Sequence, residues 1–136
     1  SLGELRSNNN LRDVRIFSEA DSNRHTAARV DIVFVYRKDL VASFPLRSEV
    51  WLSQREQLAL QFGEAIDVVK LEIVPLSYLR DIALPKLHRS AYDVLVYSDA
   101  CIHSGESVPQ VQRLSECECT QGKVTDVRIE FTECET

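Results

Sequence analysis

A chain of 136 residues, 44% of them hydrophobic, is long enough for one domain with its own buried core. Its net charge is −5, and acidic side chains gather toward the C-terminus at Glu116, Glu118, Asp126, Glu130, Glu133 and Glu135, so no nucleic acid partner is expected. No apolar run approaches the roughly 20 residues with which a helix spans a bilayer.

Residues 1–10 are polar, with Asn8, Asn9 and Asn10 in succession, and read as a flexible lead-in that tethers one domain at 11–136. The sequence contains no methionine and starts at Ser1, so a processed or trimmed polypeptide is expected. From Leu11 to Glu19, Val14 and Ile16 alternate with Asp13 and Arg15, the pattern of a half-exposed first strand. Asp21 to Arg29 is a polar loop, too rich in turn formers to continue a strand and too long for a tight hairpin. Val30 to Arg37 (VDIVFVYR) then sets Val30, Ile32, Phe34 and Tyr36 against Val33 and Val35. Apolar side chains on both faces predict a strand central in its sheet. An exposed loop fixed to a rigid strand is the pattern of a recognition element, with Asp21, Ser22, Asn23, Arg24, His25, Thr26 and Arg29 as candidate contact residues.

Pro45 restricts Phe44 to an extended conformation and breaks the chain there. From about 47 to 62 the period becomes helical, with Trp51, Leu58 and Phe62 on one stripe and Ser53, Arg55 and Glu56 outside it. Ser48 is the expected N-cap and Gly63 the expected stop. Trp51, on the apolar stripe, is expected in the core rather than stacked on a ligand. Asp67 to Val74 predicts a third strand closed by Pro75, and Ile82 with Leu84 a short edge strand closed by Pro85. Ala91 to Tyr97 is the next strand, with Tyr92, Val94 and Val96 opposite Leu95 and Tyr97. His103 to Pro109 reads as a loop. Leu114 to Thr120 and Lys123 to Cys134, joined by Gln121-Gly122, read as a hairpin that turns Thr125, Val127, Ile129 and Phe131 toward the core. Six or seven strands joined mainly by loops, with one helix inserted after the second, predict a mainly β chain, an antiparallel β-sandwich.

The cysteines Cys101, Cys117, Cys119 and Cys134 are an even set suited to two disulfides in an oxidising compartment, with connectivity left open. Their spacing is not that of the C-x₂₋₄-C pairs of zinc sites. Cys117-Glu118-Cys119 stands in a predicted strand, away from the helix N-terminus that lowers the pKa of a catalytic thiol. His25, His88 and His103 fall in predicted loops and read as solvated, and the pairs Glu116/Glu118 and Glu133/Glu135 read as surface charge. Neither a G-x-S-x-G turn nor a phosphate-cradling glycine loop can be placed. No catalytic residue, metal site or cofactor is expected, and the chain reads as a non-enzyme. Two other readings stay open: a periplasmic or secreted binding module that uses the cysteine-rich hairpin or an unpaired edge strand, and an enzyme built on a cysteine or metal centre.

The polar loop Asp21 to Arg29 with its Asn23, VDIVFVY leading to Tyr36 and Leu40, Phe44, the helix Arg47 to Phe62, the Val68 to Pro75 strand and the Tyr92 to Tyr97 strand together resemble a family. They look like a divergent member of the TssJ-type outer-membrane lipoproteins of type VI secretion systems. The resemblance runs from about Leu11 to Tyr97 and rests on spacing and residue type. It implies a transthyretin-like β-sandwich with a helical insertion after the second strand and a protruding loop between the first two. It further implies a signal peptide and a lipidated cysteine upstream of Ser1, and residence at the periplasmic face of the outer membrane. The loop would bind the periplasmic part of a TssM-type inner-membrane component.

Overall fold

The computed structural model describes residues 7–101, 112–113 and 126–134. Strand β1 (Asp13–Ser18) leads through a loop into β2 (Ala28–Val35), and helix α1 (Ser48–Phe62) follows. Then come β3 (Ile66–Ile73), β4 (Ser77–Leu79), β5 (Asp93–Ser98), β6 (Gln112–Arg113) and β7 (Asp126–Phe131). They form two sheets, ordered β4-β1-β7 and β3-β2-β5-β6. The expected architecture is present: a mainly β sandwich with one helix inserted after the second strand. One pairing departs from the antiparallel expectation, because β7 runs parallel to β1, with Asp13 beside Asp126 and Ser18 beside Phe131. A parallel neighbour needs a long crossover. The first arm of the expected hairpin, its turn and the start of its second arm, 114–125, lie outside the described residues.

Apolar side chains on both faces give β2 two cores to fill. Val30, Ile32 and Phe34 point between the sheets, against Val14, Ile16, Ile73, Val94 and Ile129. Val33 and Val35 point outward, where α1 covers them with Trp51 and Leu52 beside Phe44, Leu95 and Tyr97. The molecule therefore has three layers, and β2 is buried from either side. Trp51 is fully buried, as its position on the stripe predicts, and it stacks on Tyr97 at 5.1 Å between ring centroids. Ser48 differs from its expected role. Arg47 occupies the N-cap, and the buried Ser48 sits in the first turn, where its Oγ accepts the Ser98 N–H at 3.1 Å and ties the helix to β5. Gly63 ends the helix with a φ of 54°, a left-handed conformation that favours glycine.

A charge lies in the middle of this apolar strand. Asp31 is completely buried, and its carboxylate accepts Trp51 Nε1–H at 2.8 Å and Arg55 N–H donors at 2.9 and 3.1 Å. Arg55, expected outside the helix stripe, instead reaches in to neutralise this group and keeps only 25% of its side chain exposed. A carboxylate cannot leave water without such partners.

The short edge strand also lies elsewhere than expected. It is Ser77–Leu79, antiparallel to β1, whereas Ile82 and Leu84 pack on the inter-sheet core from irregular chain. Ser18 explains the placement: its Oγ donates to Val74 O at 2.6 Å and accepts Ser77 N–H at 3.1 Å, so pairing begins directly after Pro75. His88 is a further correction. It is half-buried, with Nδ1 2.8 Å from Pro85 O and Nε2 3.0 Å from Leu11 O. The same turn receives Asn8 and Asn9, whose side-chain amides donate to Ser90 O at 2.8 Å and to His88 O and Ala91 O at 2.9 and 3.0 Å.

Replacing Arg55 with alanine leaves the Asp31 charge buried with only one donor, and is expected to cost about 3 kcal/mol, the low end for a broken buried pair because Arg55 is partly exposed. In urea unfolding, Asp31→Ala combined with Arg55→Ala should cost clearly less than the sum of the single changes. A second expectation concerns alkali. Burial pushes the Tyr36 phenol up, helped by its 2.6 Å hydrogen bond to Asp67, and burial likewise raises Tyr97, with Arg113 opposing and Asp93 adding to it. Folding therefore favours the protonated phenols. Their contribution is complete below the ordinary phenol value of about 10 and is lost as pH climbs toward the raised folded-state values. Phenolate absorbance should report these two rings ionising only along with alkaline unfolding, and Tyr36→Phe should flatten that loss of stability.

Candidate functional site

The chain leaves β1 at a pinned base. Glu19 N–H donates to Phe131 O at 2.9 Å and Glu19 O accepts Leu76 N–H at 3.1 Å, so the loop is held to both neighbours of β1. Ser22 is buried and forms an isolated bridge with Glu133. The next three residues, Asn23, Arg24 and His25, have φ of 47°, 51° and 65°. Left-handed backbone costs non-glycine residues about 1–3 kcal/mol each and persists only where the surroundings enforce it.

Here the enforcement is visible. Asn23 Oδ1 accepts Cys101 N–H at 2.8 Å, while its Nδ2 donates to Ala27 O at 2.9 Å and Thr26 O at 3.3 Å. Thr26 Oγ1 closes the turn by donating to Asn23 O at 2.6 Å, and His25 Nδ1 lies 3.1 Å from Ala20 O. Below it, a disulfide joins Cys101 to Cys134, with Cα atoms 5.4 Å apart, so the ends of β5 and β7 are covalently tied under the loop. Arg29, inside β2 rather than in the loop, clamps the other side. Its N–H and Nε donate to the Asp99 carboxylate at 2.8 and 2.9 Å.

The structure thus sorts the seven candidate residues into two groups. Arg24, His25 and Thr26 are exposed at the tip, whereas Ser22 is buried, Asp21 and Asn23 are half-buried and Arg29 is paired on the sheet. Of the four cysteines, Cys101 and Cys134 form one disulfide, and Cys117 and Cys119 lie outside the described residues, as do His103, Glu116 and Glu118. Sequence reasoning missed Glu19 and Asp99 as supports and the exposed Val74 and Leu76 beside Glu19. An apolar pair flanking Pro75 was the available signal.

Other chemistry is sparse. Among the described residues no three His, Cys, Asp or Glu side chains converge as a metal ion requires. A shallow polar cleft of about 360 Å³ lies between Arg29 and the α1 residues Leu52, Ser53, Gln54, Arg55, Glu56 and Gln57. Arg29 and Arg55 there hold Asp99 and Asp31. Among the described residues no helix is long and apolar enough to cross a membrane.

No family model matches the chain, and no curated protein matches it. Its structure is similar to that of Serratia marcescens Lip, a membrane-bound component of the type VI secretion system. The TM-score is 0.50 and the sequence identity 10%, over 88% of each chain. The likeness is one of fold. A type VI secretion component is therefore built on this architecture, the one that the resemblance in the sequence implied.

The disulfide bears on the loop because the Cys101 amide is also the donor to Asn23. Closing 33 residues, it is expected to contribute about 3–4 kcal/mol through the unfolded chain. Changing Cys101 and Cys134 together to serine should lower the unfolding free energy by that order. In that variant hydrogen exchange should quicken at the amides of position 101, His25 and Thr26 before it does in β2.

Proposed function

We propose that this chain is a non-catalytic assembly component of a type VI secretion membrane complex. On this reading it is a lipoprotein anchored at the periplasmic face of the outer membrane by an N-terminal lipid, and its loop between β1 and β2 binds a TssM-type inner-membrane component. The observation that carries the reading is the loop itself. It combines a costly left-handed backbone, supports that hold it rigid and an exposed tip bearing Arg24 and His25. A surface connection with no partner has no need of enforced strain, whereas a preorganised tip loses little conformational freedom on binding. The fold shared with a membrane-bound secretion component supports the same reading, as does the disulfide, which persists in an oxidising compartment.

In this account Arg24, His25 and Thr26 touch the partner, and Ser22, Asn23 and Arg29 shape the surface they stand on. A lipid anchor would require, just upstream of Ser1, an apolar signal segment ending in a small residue and a cysteine.

The test is a binding titration against the purified periplasmic C-terminal region of the TssM-type component from the same organism. Arg24→Ala should weaken binding at least about tenfold, as loss of a central arginine contact does, with an unchanged thermal midpoint. Asn23→Ala should weaken binding and also speed exchange at the Cys101 amide, because it acts through the shape of the loop. Absence of saturable binding by the folded native chain would overturn the proposal.

A further inference from the structure

β3 is the outermost strand of its sheet, paired with β2 over all eight positions from Ile66 to Ile73. Among the described residues no hydrogen bond reaches its other edge. A long unpaired edge is a template for another strand, and a lysine placed on it, as Lys70 is here, ordinarily blunts that tendency. The neighbours of Lys70 change its meaning. Lys70 lies opposite Asp31 on β2, and the exposed Glu72 lies opposite Arg29, so charges of opposite sign already alternate across the two strands on one face.

We propose that a second copy of this chain adds its own β3 to this edge, antiparallel, about a two-fold axis through Leu71. That register sets Lys70 of each copy opposite Glu72 of the other. One row across the joined sheets then reads Arg29, Glu72, and Lys70 and Asp31 of the second copy, and the companion row reads the same in reverse. The alternation of sign continues over four strands without a break. On the other face Val69 meets Ile73 and Leu71 meets its own copy, which covers the part of Val69 and Leu71 that a single chain leaves open. Directly opposed residues must share a face, so the neighbouring symmetric registers have their axis at Lys70 or Glu72 and oppose like charges at the centre. Pro75, which has no N–H, ends the added ladder. The contact consists of one eight-residue strand from each copy, so the association is expected to be reversible and to depend on concentration.

Sedimentation velocity over a concentration series tests the proposal. The native chain is expected to shift reversibly from monomer to dimer, and amide exchange is expected to slow with concentration in β3 alone. Lys70→Glu and Glu72→Lys, each shown to be folded by circular dichroism, should each be monomeric, since each opposes like charges. An equimolar mixture of the two should dimerise again, because both rows then pair opposite signs. A native chain that remains monomeric at the highest concentration overturns the proposal. So does a dimer unaffected by either substitution, or one whose protection from exchange falls outside β3.

Discussion

The buried carboxylate of Asp31 is the constraint on which the rest of the structure rests. Apolar packing alone lets a helix rotate and slide on a sheet, because such contacts are non-directional. A desolvated charge does not. It demands donors at fixed positions, and Trp51 and Arg55, four residues apart on α1, are on the same helix face and supply them. One turn of the helix is thereby locked over one residue of β2, and the stacking of Trp51 on Tyr97 and of Phe44 on Phe62 is set within that frame.

The loop inherits this rigidity. Arg29, two residues before Asp31 on the same face of β2, bonds to Asp99 at the end of β5, and the chain just beyond Asp99 donates the Cys101 amide that Asn23 accepts. From the helix to the loop tip, the connection passes through strand pairing and short polar contacts rather than through mobile side chains. The inserted helix therefore has a physical consequence for the loop between β1 and β2, since it stiffens the strand from which that loop springs.

Much of this was legible in the sequence. The two-faced run of Val30 to Val35 announces a central strand, and the stripe through Trp51, Leu58 and Phe62 announces a helix that packs on it, because burial imposes a period that propensity and hydrophobicity both follow. What escaped notice depends on partners distant in sequence. Asp31 interrupts an otherwise apolar strand, and that interruption was the available sign that a cation must come from elsewhere. Nothing local marks Arg55 as that cation. Apolar alternation points to an edge strand at Ile82 and Leu84, yet a serine hydroxyl on β1 selects Ser77–Leu79. In the loop the turn-forming composition was readable, but the division of labour was not. Asn23 and Arg24 look equally available as sequence, and only the position of the Cys101 amide turns one inward and leaves the other outside.

The parallel pairing of β1 with β7 has a consequence for how the polypeptide reaches this state. The earliest strand described, β1, has the last one described, β7, as its neighbour, from Asp13 beside Asp126 to Ser18 beside Phe131. Its other neighbour, β4, offers only three residues. The smaller sheet therefore cannot be completed until the chain has been made as far as β7, and closing so long a loop early would be entropically costly and slow. The sheet of β2, β3 and β5 draws on nearer segments and can assemble first. Closure of the smaller sheet is then the late step, and β1 keeps an unfilled edge until β7 is made.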